Sequence, residues 1–95
     1  AKAVPALTAL LADAKTADAA RYALDAIDDP AAGDVLRGAL EKLSGPAKAG
    51  LIGSIALRGD AKAVPALAAI KARASEPAVV RTAATRALER LNAKA

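Results

Sequence analysis

Few side chains in this chain of 95 residues can do chemistry, and their spacing limits what that chemistry could be. Asp25, Asp28 and Asp29 crowd one short stretch, where carboxylates could share a proton or hold a hard cation. Arg21 stands four residues before Asp25, and Asp29 directly precedes Pro30, so a helix ion pair and a helix cap explain the cluster more simply. Ser44, Ser54 and Ser75 lack the adjacent base a nucleophilic serine needs, because the chain has no His. It has no Cys either, which removes thiolate catalysis, disulfides and thiolate metal sites. Arg58-Gly59-Asp60 spells an adhesion tripeptide, yet Gly59 reads as a helix end and Asp60 as the next helix's cap. GPAKAG at 45–50 has the glycine spacing of a phosphate-cradling loop, but Leu51-Ile52 stand where Lys-Ser/Thr is required. GLIG at 50–53 imitates the loop of an RNA-binding module but falls inside a helix. The residues therefore point away from an enzyme: no catalytic residue, metal ligand or cofactor is expected, and nothing indicates a small-molecule substrate.

Charge offers a second kind of site. Residues 1–61 carry seven basic and eight acidic side chains, whereas 62–95 carry seven basic and two acidic ones. Lys62, Lys71, Arg73, Arg81, Arg86, Arg90 and Lys94 are candidate phosphate contacts in that basic third. Glu89 interrupts the stripe and no aromatic residue there can stack a base. Nucleic acid is thus the weaker expectation, and binding would be nonspecific and strongly salt-dependent.

The elements that must position these groups are helices. Thirty of the 95 residues are Ala, and Tyr22 is the only aromatic, so Leu, Ile and Val must form the core of an all-α chain. The charge-free run at 49–57 has nine residues, against about 20 for a bilayer, and no membrane span is expected. No secretory leader is visible at the start, and the compartment stays open. Cap and turn residues divide the chain into helices at about 3–14, 17–27, 30–43, 46–58, 61–74 and 76–92. Thr16, Asp29, Asp60 and Ser75 are the expected caps, Gly59 closes the fourth helix, and Pro5 and Pro30 sit in first turns. Links of two to four residues make successive helices antiparallel neighbours.

The helices repeat as pairs. AKAVPAL stands at 1–7 and again at 61–67, and Leu7, Leu36 and Leu67 share one register in the first helix of each pair. In the second helices, Ala23-Leu24, Ser54-Ile55 and Ala87-Leu88 are equivalent small–large pairs, with Ser54 expected to be a packing residue. The helix at 46–58 has no charge between Lys48 and Arg58, so it should be covered on several sides, with Gly50 and Gly53 as close-contact points.

The VPAL openings, the Gly-Asp turn at 59–60 and VRTAATRALERL at 80–91 resemble HEAT-type repeats of the short bacterial kind, across one domain with repeats at about 1–28, 29–59 and 60–92. The resemblance implies a right-handed α-solenoid of three antiparallel helix pairs, its second helices lining a concave surface that binds protein partners. The chain departs from the pattern where the first pair is about one turn shorter than the third and where the fourth helix lacks a Val-Arg start. A DNA glycosylase branch resembling this architecture uses a carboxylate beside aromatics in a basic channel, and those aromatics are missing here. On this reading Asp18, Arg21, Tyr22, Asp25, Arg81, Thr85 and Arg86 are the expected protein-contact residues, with Tyr22 as anchor. The closing residues 92–95, NAKA, resemble the opening of another repeat, so end-to-end stacking of copies is a further expectation.

Overall fold

The computed structural model describes residues 7, 9–11, 13, 15–27 and 29–93. All regular structure among them is helical: α1 (Ala17–Asp25), α2 (Pro30–Gly38), α3 (Gly45–Arg58), a 3-10 turn (Ala61–Ala63), α4 (Val64–Ala72) and α5 (Ala78–Ala93). Residues 7 and 9–11 are helical too, but most of the first helix expected at 3–14, and the first AKAVPAL copy except Leu7, lie outside the described residues.

The punctuation follows local chemistry in most places. Asp29 accepts the Ala31 N–H at 2.9 Å ahead of Pro30, which has no N–H to satisfy. That hydrogen bond holds the Asp29 carboxyl below its ordinary value of 3.8. A depressed carboxylate contributes stability that is full above about pH 4 and lost as pH falls through the folded-state value. Melting temperatures of wild type and Asp29→Asn, which keeps a capping oxygen but cannot titrate, should therefore converge on acidification. Gly59 closes α3 at φ 71°, a left-handed conformation that favours glycine, and Asp60 then accepts the Lys62 N–H at 3.2 Å.

Elsewhere the boundaries move. α1 ends at Asp25 rather than 27, and Thr16 gives it no side-chain cap; its hydroxyl donates instead to the Leu10 carbonyl at 2.6 Å. α2 stops at Gly38 instead of reaching 43, and residues 39–42 form turns closed by Leu40 N–H to Arg37 and Lys42 N–H to Ala39. The fifth expected helix begins as a 3-10 turn and ends at Ala72. Ser75 does not open the last helix: α5 starts after Pro77, which biases the residue before it away from helical backbone.

The buried side chains form one cluster of Leu, Ile, Val and Ala. Leu24, Leu36, Ile55 and Leu67 are fully buried, as their shared registers require, while Leu7 and Leu88 pack at its margin. α3 packs against α1, α2 and α5, and α4 packs mainly on α5. α1, α3 and α5 thus form a row with α3 in the middle. The Cα extents are 35 × 29 × 16 Å, and 16 Å suits two layers of helices about 10 Å apart.

Coverage of α3 is incomplete. Gly50 makes the expected close contact: a Cβ there would meet the Arg21 guanidinium at 3.2–3.3 Å. Gly53 does not, since a Cβ there has nothing within 4 Å. Gly53→Ala should therefore stabilise by about 1 kcal/mol through helix propensity, raising Tm by roughly 4–8 °C. Gly50→Ala should give less, because it must displace Arg21; equal gains in a melting series would remove that close contact.

Candidate functional site

Polar side chains stitch the helices together, and this sorts the expected site residues into engaged and available ones. Arg58 donates to the carbonyls of Leu24, Ile27 and Asp29 at 3.1, 2.9 and 3.2 Å. Its guanidinium thereby joins the end of α1, where the Leu24 carbonyl also accepts the Ile27 N–H at 3.0 Å, to the start of α2. Asp60 is ion-paired with Arg37, which also meets Asp34. The hydrogen bond to Asp60 pushes the Arg37 guanidinium further up from its ordinary value. All three residues of the adhesion-like tripeptide at 58–60 are thus committed to the scaffold.

Lys48 is 4% exposed and pairs with Glu76, with Glu41 at 4.0 Å. Arg73 meets Glu41 at 3.0 Å and Glu76 at 3.4 Å. Arg73 is therefore not a free phosphate contact; it belongs to an ion network joining the α2–α3 connection, α3 and the α4–α5 connection.

At the other seam, Arg21 Nη1 donates to Ser54 Oγ at 3.1 Å, and Ser54 Oγ donates to Asp25 Oδ2 at 3.1 Å. Ser54 is 1% exposed, and it is a cross-link between α1 and α3 rather than the plain packing residue expected from its register. The expected Arg21–Asp25 ion pair is replaced by this relay, and the carboxylate facing Arg21 is Asp18 at 3.5 Å. Arg21 Cζ stacks 4.5 Å from the Tyr22 ring centroid, and Tyr22 is 65% exposed. Asp28 lies outside the described residues.

The remaining protein-contact residues divide between two sides of α5. Arg86 and Arg90 flank an open groove of about 570 Å³ whose floor is Gly50, Gly53 and Leu57 of α3. Ala83 and Ala87 form its α5 wall, and Arg21 closes the α1 side. Arg81 and Thr85 are turned away from this groove, into a shallow recess shared with Lys71, Thr82 and Glu89, whose rim Arg86 also reaches. The structure thus brings Arg21 and Arg86 together and leaves Arg81 and Thr85 apart. Asp25 lines a third recess with Ser54, Leu57 and Arg58.

The basic residues are similarly dispersed. Lys62 borders a pocket with Arg37 and Asp60, Lys71 and Arg81 share the α5 recess, and Lys94 lies outside the described residues. Helical projection alone carried part of this signal: Arg81 and Arg86, five residues apart, stand about 140° apart around a helix. Gly53 and Leu57 were not expected as site residues, and Arg90, expected as a phosphate contact, lines this groove. The signal for Gly53 is the register: one position before the small–large pairs, Tyr22, Gly53 and Arg86 are equivalent, so α3 has no side chain where α1 and α5 carry large ones.

Among the described residues no group of His, Cys, Asp or Glu is arranged to hold a metal ion, and no helix is long and apolar enough to cross a membrane. Compared with protein-family models, curated proteins and solved structures, the chain matches none of them.

Proposed function

We propose that this chain is a non-catalytic scaffold of HEAT-like character, three helix pairs in a right-handed α-solenoid, that docks a protein partner on the surface of its second helices. The observation that carries this reading is the groove over α3. Gly53 and Leu57 are exposed beside half-buried Gly50 on a helix whose other large apolar side chains are buried, which leaves apolar surface open, and Leu57 is 64% exposed. Polar ties at both seams hold the walls of that groove in place, which limits the ordering cost of binding. The hydroxyl of Ser54 is occupied on both sides by Arg21 and Asp25, which supports a structural role over a nucleophilic one.

The stacking alternative is less favoured, because the recess between α4 and α5 presents Lys71, Arg81, Thr82, Thr85 and Glu89, the polar character of a terminal repeat. Light scattering behind size exclusion should accordingly return a constant mass near 9.4 kDa over a hundredfold concentration range.

The docking reading is tested by selecting displayed random peptides against the wild-type protein and rescreening them on Gly53→Leu. The substituted side chain fills the groove floor without entering the core. Selected peptides should lose binding to the variant, and peptides that bind both proteins equally would place the docking surface elsewhere.

A further inference from the structure

The groove also carries information about what fits it. Its lining contains three arginines, Arg21, Arg86 and Arg90, and no carboxylate. Arg21 is already satisfied in part by Ser54 and Asp18. Arg86 and Arg90 are different: both are exposed and neither has an ion-pair partner among the described residues. They stand four residues apart, so they lie one above the other along the same rim of α5. The floor beneath them is apolar and runs from Gly50 to Leu57, about 10 Å or two helical turns.

An occupant must match three features at once: a narrow apolar floor, a row of positive charge along one side, and walls made by helices with no strand edge to extend. A short amphipathic helix meets them. Its apolar stripe would rest on Gly53 and against Leu57, where the absence of a side chain lets a bulky residue approach the α3 backbone. Carboxylates at helical spacing on one flank would face Arg86 and Arg90. From this charge complementarity we infer that the partner segment is an acidic amphipathic helix lying along α3, with its acidic flank on the Arg86/Arg90 rim. The inference rests on the docking reading above and adds the chemistry of the partner to it.

Because the two arginines are exposed, they act chiefly on association rate and salt dependence, while the apolar floor sets residence time. Two fluorescein-labelled helical peptides of about 15 residues separate these contributions. Both carry the same leucine stripe; one has Glu and the other Lys along the flank. Fluorescence anisotropy is measured against wild type, Arg86→Glu/Arg90→Glu and Gly53→Leu, at low and at physiological salt.

The expected result is that wild type binds the Glu peptide about tenfold or more tightly than the Lys peptide, with the preference shrinking as salt rises. The double charge reversal should invert the preference, and Gly53→Leu should weaken both peptides. Equal binding of the two peptides, lost in Gly53→Leu, would overturn the acidic partner while leaving the docking groove intact. Binding of either peptide that Gly53→Leu does not weaken would overturn the groove itself, and the acidic partner with it. No binding of the Glu peptide to wild type at low salt also overturns the inference.

Discussion

Replacing Ile55 by Ala should remove about 4 kcal/mol of stability, the largest loss expected from any single truncation in the chain. Ile55 is fully buried in the last turn of α3, the helix on which α1, α2 and α5 all converge. A domain of this length has roughly 5–14 kcal/mol in total, so one substitution would take more than a quarter of it. The surrounding core makes relaxation difficult. It is built from Leu, Ile, Val and Ala with no aromatic or methionine side chain to swing into the void. Urea unfolding should show a midpoint lowered in proportion with an unchanged slope, and Ile55→Val should cost only about 1 kcal/mol. A loss below about 1 kcal/mol for the alanine variant would mean that α3 is not the hub of the packing.

Replacing Lys48 by Met comes second, at about 3 kcal/mol. Methionine fills much the same space, so the loss measures charge rather than volume. Lys48 is nearly inaccessible, and the side chain of Glu76 opposite it is 11% exposed. Without the ammonium, Glu76 stays in a poorly hydrated position with Arg73 at 3.4 Å as its remaining cation. Arg73 is 40% exposed and is shared with Glu41, which limits the compensation it can give. Glu76→Gln added to Lys48→Met should recover most of the loss, since no unpaired charge then remains. A double-mutant cycle built from thermal or urea unfolding would show this as strong coupling; additive losses would mean that the pair is not an energetic unit.

The sequence made the skeleton legible where the determinant is local. Asp29-Pro30 and Gly59-Asp60 mark their boundaries because a cap, a missing N–H or a left-handed turn needs only the residues themselves. The registers of Leu24, Leu36, Ile55 and Leu67 predict burial because helix periodicity fixes which face they share. Determinants that reach across pairs were not legible. Arg58 reads as the last residue of a helix, yet its guanidinium serves carbonyls 29–34 residues earlier. Lys48 reads only as the bound of a charge-free run, yet a residue 28 positions later pairs with it in a nearly inaccessible position. Gly50 and Gly53 look alike on one helix, and only the path of the Arg21 side chain distinguishes a tight contact from an open floor. The candidate site followed the same division: the arginines could be named from sequence, but the groove that selects Arg21, Arg86 and Arg90 from among them depends on how α1, α3 and α5 lie side by side.

The long reach of Arg58 has a consequence for how the chain is made. During synthesis, α1 leaves the ribosome before Arg58, so the contacts that tie its end to α3 form only once α3 has been translated. α3 waits in turn, because Lys48 meets Glu76 only once the α4–α5 connection has been made. α1 and α3 are thus each completed by contacts with a segment translated later, and a nascent chain halted after residue 57 would hold α1 without the Arg58 contacts. Stability is acquired in the order of translation but completed one segment late.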